Sequence, residues 1–285
     1  MTKILVTGST GGLGRQTIEF LLKRVPAMQV AALARDPARL ADLAARGVDV
    51  RQGDYFDQAS LTTAFRGIDR LFFISAPSFT DMVTQHRNII AAAMAAGVPH
   101  IVYTGIQRRE GSGTIIDQVT STEAATEDLL ASSGAKITIL RNATYMDALP
   151  FLLGPNALTE IRLPAAQGAA AFVSRRDLAE ASAVVLTTAG HSGKTYSIAV
   201  TMDDIAALLS PIAGLPVRYT DLPVATFIAE RTATGLPEPV SVFLSSWMQA
   251  IAAGEFAQIS GDLEHLTGHP AITPAEMLPS LFAAA

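Results

Sequence analysis

The chain has 285 residues, a net charge of −5 and no cysteine, and 49 % of its residues are hydrophobic. This composition is typical of a folded globular protein, and the missing thiols exclude disulfides, iron–sulfur clusters and cysteine nucleophiles. The modest acidic charge, with no basic block, argues against nucleic acid or an anionic membrane as a partner. The longest apolar stretch, 89–98, is too short to span a bilayer, and we expect a cytoplasmic protein without a signal peptide.

Six β-rich runs alternate with helical segments through the first half of the chain. The predicted strands are 3–7, 29–34, 48–52, 70–75, 100–104 and 136–141, and the predicted helices are 12–24, 37–46, 58–66, 81–96 and 121–132. The strands are apolar with little alternation, which is typical of parallel strands covered on both faces. The rhythm predicts an α/β fold of the Rossmann type, with a doubly wound parallel sheet that binds ligands at the carboxyl ends of its strands.

After about residue 142 this rhythm breaks, and prolines and glycines become frequent. Two further strands are predicted at 194–199 and 216–222, and three helix starts fit a capping box. The capping pairs are Ser174 with Asp177, Thr201 with Asp204, and Thr273 with Glu276. We therefore predict a Rossmann domain over 1–142 and a smaller α/β lobe over 143–285 that shapes a pocket and also contributes to the sheet.

The segment "VTGSTGGLGRQ" (6–16) lies between the first strand and the first helix. In that context Gly8 allows a tight turn, Gly11 allows close approach of a diphosphate, and Gly14 allows close packing of helix and strand. The helix N-terminus then presents backbone N–H groups to the phosphate. The spacing is G-x-x-G-x-x-G, and the alternative is a glycine-rich turn without a ligand.

The residue that follows the second strand selects the cofactor. "ALARDP" places Arg35 there, and an arginine at this point accepts the 2′-phosphate of NADP. Asp36 is better explained as the N-cap residue before Pro37. The sequence therefore predicts NADP(H) as the cofactor, with a solvated surface charge as the alternative role of Arg35.

Other strand ends should line the same cleft. Asp54, with Tyr55 beside it, follows the third strand near the expected adenine. "ISAP" places Ser75, Ala76 and Pro77 against the cofactor, and Thr104 ends the fifth strand near the nicotinamide. Each of these residues has an alternative explanation as ordinary loop sequence.

The acid of ordinary short-chain dehydrogenases, a Tyr with a Lys four residues later, is missing. The tyrosines are at 55, 103, 145, 196 and 219, and none is followed by Lys at that spacing. Reduction of an isolated ketone, which makes a localised alkoxide, is therefore disfavoured.

The segments "VTGSTGGLG", "GDYFDQASL", "LFFISAP", "GVPHIVYTG", "LRNATY" and "SRRDLAEA" together resemble the NmrA-like branch of the atypical short-chain dehydrogenases. Within that branch they are similar to bacterial quinone oxidoreductases and triphenylmethane-dye reductases. The resemblance runs nearly end to end, and it implies NADPH in a cleft between a Rossmann domain and a small lobe.

The resemblance also implies site residues by matching motif. The implied cofactor neighbours are Gly8, Thr10, Gly11, Gly12, Leu13, Arg35, Ser75, Ala76, Thr104 and Asn142. Tyr145 would border the substrate, and Tyr145 or Asn142 would donate a hydrogen bond to it. Relatives tend to carry a His where this chain has Glu123, so any role of that His is in doubt here.

Glu123 has two interpretations from the residues alone. It is either a general acid/base in the cleft or the N3 residue of a capping box with Thr120, and the spacing favours the capping box.

Two further groups of side chains have ordinary explanations. His265 and His269 have metal-ligand spacing, but the intervening Gly268 should end the helix, and we predict no metal site. Aromatic and apolar residues at helical spacing are more often core, and we expect at most one or two to face a substrate. These residues are Phe151, Phe243, Trp247 and Met248.

These observations predict an enzyme that uses NADPH to reduce quinones or similar conjugated electrophiles. The negative charge that arrives is spread over a ring system or cancels a carbocation, so orientation against the nicotinamide suffices. The alternative is a non-catalytic, NADP-sensing regulator of the NmrA type. The expected partner is a small conjugated molecule, and a homodimer is compatible with the sequence, which leaves the oligomeric state open.

Overall fold

A computed structural model describes residues 1–75, 80–109, 111–114, 116, 119–198, 200–201 and 205–283. The strands are β1 (Ile4–Val6), β2 (Val30–Ala34), β3 (Asp49–Gln52), β4 (Arg70–Ile74), β5 (His100–Ile106), β6 (Lys136–Asn142), β7 (Thr144–Tyr145), β8 (Glu160–Leu163), β9 (Ala171–Val173), β10 (Thr195–Ile198), β11 (Val200–Thr201) and β12 (Arg218–Asp221). The helices are α1 (Gly12–Leu22), α2 (Ala41–Ala45), α3 (Gln58–Phe65), α4 (Met82–Ala95), α5 (Thr120–Ala131), α6 (Leu149–Leu153), α7 (Arg175–Thr187), α8 (Ile205–Ala213), α9 (Val224–Ala233), α10 (Glu238–Ala252), α11 (Asp262–Thr267) and α12 (Pro274–Phe282).

Seven parallel strands form the central sheet in the order β10-β6-β5-β4-β1-β2-β3. The first six strands of the chain thus have the order 3-2-1-4-5-6 of dinucleotide-binding Rossmann folds, with the order reversing beside β1. The predicted fold class is confirmed. The carboxyl ends of all these strands meet at one edge, and the loops that leave them share one cleft.

Alternate residues of each strand pack on opposite faces of the sheet, since strand side chains have a period of two. Ile4 and Val6 belong to the core under α1 and α7, whereas Leu5 between them belongs to the core under α3 and α4. Phe72 and Phe73 divide in the same way. All five side chains are buried, which explains the unbroken apolar runs of the sequence.

Residues beyond 142 form small sheets of their own and also extend the central sheet. Two small sheets, β11-β9-β7 and β12-β8, surround an apolar core that includes Phe172, Phe227 and Phe256. The same part of the chain also sends β10 to the edge of the central sheet and packs α7 against α1. Among the described residues, no helix is long and apolar enough to cross a membrane.

The predicted capping boxes have different outcomes. Thr273 and Glu276 form the complete reciprocal box. Ser174 caps α7 by accepting from the Asp177 N–H at 3.0 Å, but the Asp177 carboxylate accepts from the Ile272 N–H at 2.8 Å, so only half of that box exists. The tertiary contact with the segment before α12 replaces the local one.

Two other boundaries differ from the prediction. The helix predicted over 37–46 is a 3₁₀ turn, Pro37–Leu40, followed by the short α2, although Asp36 is the N-cap residue as predicted. Thr201 lies in strand β11, and its predicted capping partner Asp204 lies outside the described residues.

Candidate functional site

The carboxyl ends of β1, β4, β5 and β6 border a cleft of about 510 Å³, which α6 and α10 of the C-terminal lobe close from the other side. Most of the predicted site residues line it: Gly8, Gly11, Gly12, Leu13, Gly14, Ser75, Thr104, Asn142 and Tyr145. The sheet thus brings together residues that lie up to 137 positions apart in the chain. Ala76 and Pro77 lie outside the described residues.

The glycine loop is built for close approach of backbone. Gly8 has φ +58°, and its carbonyl accepts from the Gly11 N–H at 2.9 Å. A Cβ on Gly14 would lie 2.8 Å from the Gly8 carbonyl carbon, so the first turn of α1 packs directly on the loop. Gly11 is the N-cap residue and has no side chain to cap the first amides of α1. A bare helix N-terminus facing a cleft fits a diphosphate.

The residues predicted for the adenosine end lie outside the cleft lining. Arg35 follows β2 with an exposed side chain, and it forms no ion pair with any described acidic residue. Asp36, next to it, accepts from the Ala38 N–H at 3.0 Å. Asp54 accepts from the Phe56 N–H at 3.0 Å and thereby shapes the turn after β3. Thr10 is exposed on the glycine loop. Their contacts with a cofactor stay predictions.

Asn142 and Tyr145 meet at the end of β6. The Asn142 amide donates to the Tyr145 phenol oxygen at 3.3 Å, and Asn142 Oδ1 is buried without a hydrogen-bond partner among the described residues. Burial raises the pKa of the Tyr145 phenol, which therefore stays neutral. The arrangement offers a neutral hydroxyl and an amide to a bound molecule.

Arg175 is a site residue that sequence reasoning missed. It is the first residue of α7 and lines the cleft, with its guanidinium 5.0 Å from the centre of the Tyr145 ring. A Cβ on Gly12 would lie 3.3 Å from Arg175 Cδ, so the bare glycine leaves room for the arginine. The cap at Ser174 predicted the start of the helix, but no local sequence pattern indicated that this helix begins beside the glycine loop.

The favoured interpretation of Glu123 is wrong. Val119 is the N-cap residue of α5, and the Thr120 hydroxyl bonds to the backbone of Ile116 rather than to Glu123. The Glu123 carboxyl lines the cleft instead, where it accepts hydrogen bonds from Ser75 Oγ at 2.6 Å and from the Tyr103 hydroxyl. Burial raises its pKa to about 7, outweighing these hydrogen bonds, which lower it.

Glu127, one helical turn further along α5, has the opposite environment. Arg108 and Arg141 each hold its carboxylate with two hydrogen bonds of 2.7–3.1 Å. Burial disfavours its charge, but the two guanidinium groups outweigh burial and keep its pKa below the usual value. Glu127 is therefore a permanent anion, whereas Glu123 can exchange a proton near neutral pH.

The far wall of the cleft is apolar. Phe151, Phe243 and Trp247 line it, which is one aromatic residue more than we expected. Met248 is instead buried in the apolar core of the C-terminal half, which also contains Phe227 and Phe256. There it faces a second cavity of about 300 Å³. That cavity shares Leu152 with the cleft but is lined neither by the glycine loop nor by Ser75, Asn142 or Tyr145, so we place the functional site at the cleft.

The two histidines with metal-ligand spacing lie apart from the cleft. The helix that carries His265 ends at Gly268, as predicted, and His269 lies 3.3 Å from the carboxylate of Glu180. Within the described part of the chain, no group of three or more His, Asp or Glu residues could hold a metal ion.

Fold and cleft together define a Rossmann-type, dinucleotide-binding protein. Residues 1–265 match the NmrA-like family, and the chain belongs to that family. It is 38% identical to quinone oxidoreductase 2 of Escherichia coli over 98% of each chain. The crystal structure of an Escherichia coli NADPH-dependent quinone oxidoreductase with NADPH has a TM-score of 0.89, with 37% identity over 98% of this chain and 99% of that one. Triphenylmethane reductase of Citrobacter sp. with NADP(H) has a TM-score of 0.90, with 34% identity over 98% and 100%.

We expect Gly14→Ala to weaken NADPH binding at least about tenfold and to lower the free energy of unfolding by about 1–3 kcal/mol, as overpacking does. The reason is that the new Cβ would push α1 away from Gly8. Calorimetric titration and thermal unfolding measure the two effects. Gly113→Ala is the control, because its Cβ would meet no atom within 4 Å. Wild-type affinity in Gly14→Ala would contradict the close-packing argument.

Proposed function

We propose that this chain is an NADPH-dependent reductase that transfers hydride to quinones or similar conjugated electrophiles. The observation that carries the proposal is the division of the cleft: a bare helix N-terminus at one end, and an aromatic wall with the neutral Asn142 and Tyr145 groups at the other. Membership of the NmrA-like family and similarity to quinone and dye reductases support it.

The residues present fit NADP(H). The glycine loop would hold the diphosphate with backbone N–H groups, because no Cβ blocks its approach. Arg175 adds a guanidinium beside Gly12, where a negative charge would lie. Arg35, whose guanidinium has no acidic partner among the described residues, would bind the 2′-phosphate. When bound, NADPH supplies the hydride.

Asn142 and Tyr145 would orient the acceptor. Asn142 donates to the phenol oxygen of Tyr145, so the phenol proton is available to a carbonyl oxygen in the cleft. The phenol is not acidified, since burial raises its pKa and no Lys lies four residues later. A neutral donor stabilises a delocalised charge well enough but serves poorly for a localised alkoxide.

The regulatory alternative predicts binding of both cofactor forms without turnover. Its support was the family name alone, whereas the aromatic wall beside Asn142 and Tyr145 indicates a space for a flat second ligand. That the protein works in the cytoplasm, and that it forms a homodimer, stay predictions.

The acceptor panel is the direct test of the proposed function. We expect NADPH oxidation, followed by loss of its absorbance band, with quinones and cationic triphenylmethane dyes. The kcat/KM for simple ketones should be lower by about a hundredfold or more, because a localised alkoxide needs a strong donor during hydride transfer and the neutral Tyr145 phenol is a weak one. Preference for ketones would contradict the mechanism, and binding of NADPH without oxidation by any acceptor would favour the regulator.

Arg35→Ala should raise the Kd of NADPH about tenfold to a hundredfold, the value of one or two charge-assisted hydrogen bonds, and leave that of NADH within about twofold. Fluorescence titration of both cofactors checks this. Arg66→Ala is a matched control, because Arg66 is exposed at the C-terminal end of α3, at the edge of the sheet opposite to the cleft. Equal weakening of NADPH and NADH would remove the 2′-phosphate assignment.

Tyr145→Phe should lower kcat/KM for a quinone about threefold to tenfold, since one neutral hydrogen bond is lost. The Kd of NADPH should change little. Tyr196→Phe removes a hydroxyl that bonds to His191 at 2.7 Å in β10, away from the cleft, and should leave the kinetics unchanged. If both variants behave alike in steady-state assays, Tyr145 does not contact the acceptor.

A further inference from the structure

A buried carboxyl group in the lining of the cleft is hydrogen-bonded to a hydroxyl that also lines it. The Glu123 side chain is 4 % exposed, and its Oε1 accepts from Ser75 Oγ at 2.6 Å. Ser75 is half-buried and lines the cleft beside Glu123, so its hydroxyl contacts the carboxyl group and is within reach of a bound molecule. Tyr103, fully buried behind them, donates to the second oxygen, Oε2.

Three titratable side chains near Glu123 are neutral. From β5, Tyr103 contributes a neutral phenol, and burial holds its pKa well above the usual value. From α4, His86 reaches Ser75 at 3.4 Å, and burial lowers its pKa to about 4, so it is neutral too. Tyr145 of β7, across the cleft, is also neutral.

The charged residues nearest to Glu123 form ion pairs with one another. Arg108 is paired with Glu127, and that anion disfavours a second negative charge on the same helix face. Arg141 pairs with Glu127 from β6. No described cation forms a salt bridge with Glu123, which distinguishes it from a structural ion pair.

We propose that Glu123 is the proton donor that completes quinone reduction, with the Ser75 hydroxyl as the relay into the cleft. The proposal rests on the proposed function. It assigns the source of the second hydrogen that the quinone gains when it becomes a hydroquinone.

A quinone that accepts a hydride gains one proton and two electrons, and becomes a hydroquinone monoanion. The Glu123 O–H proton passes to Ser75 Oγ while the Ser75 proton passes to the anionic oxygen, whose pKa resembles that of a phenol, about 10. Glu123 becomes the carboxylate that accepts from Ser75 and Tyr103, the arrangement in this structure, and regains a proton from water.

A cationic triphenylmethane dye provides the internal control. Its central carbocation accepts a hydride and becomes a neutral molecule, so no proton is consumed. The relay therefore predicts that quinone and dye turnover differ in their dependence on Glu123, although both use the same cofactor and cleft.

We expect Glu123→Gln to lower the ratio of quinone kcat to dye kcat about tenfold or more, within the range of general acid catalysis. Stopped-flow and steady-state rates at saturating NADPH measure it. Glu19→Gln, on α1 in an exposed pair with Arg46, is the matched control and should leave the ratio unchanged. An equal loss of kcat with both acceptors would reduce Glu123 to a structural role, and an unchanged kcat with both acceptors would assign the proton to solvent; either outcome overturns the relay.

The wild-type pH profile tests the relay without any variant. The donor is protonated below its pKa, about 7, so quinone kcat should fall as pH rises through neutrality. Dye kcat should not show this decrease between pH about 6 and 8.5. Superimposable profiles overturn the relay even if Glu123→Gln does not fold. NADPH oxidation by neither acceptor would instead defeat the proposed function.

Discussion

The contact between Gly14 and the backbone of Gly8 is the constraint on which the cleft depends. It brings the first turn of α1 against the end of β1, which aims the N-terminus of that helix at the sheet edge. Gly12, in the same loop, leaves room for the side chain of Arg175 from α7. A helix of the second half of the chain thereby places a guanidinium beside the glycine loop of the first.

The site separates two carboxylates of one helix by their surroundings. Glu127 has two arginines and stays charged, whereas Glu123 has two hydroxyls and no cation. Opposite shifts in neighbouring titratable groups are how proteins assign acid and base roles at neutral pH. The arginines that fix one charge therefore also leave the other carboxyl group able to bind a proton.

The chemistry of the cleft follows from what its donors lack. Tyr145 has no lysine to acidify it, and its hydrogen-bond partner is an amide. Such a site favours acceptors that delocalise or cancel the arriving charge, and an aromatic wall orients flat molecules of that kind. The same weakness explains why a quinone, unlike a dye cation, would need a separate source of protons.

The sequence alone determined the parallel sheet, the glycine loop and the position of Arg35. Each of these depends on local rules: apolar runs of strand length, a backbone that tolerates no Cβ, and a residue directly after a strand. The sequence could not place Glu123, because the pattern Thr-x-x-Glu is the same whether the glutamate side chain caps its own helix or points away from it. Only the packing of α5 against β5, which brings Tyr103 and Ser75 to that carboxyl group, decided between them. Arg175 and the third aromatic residue of the wall were decided in the same way, since long-range packing leaves no local pattern.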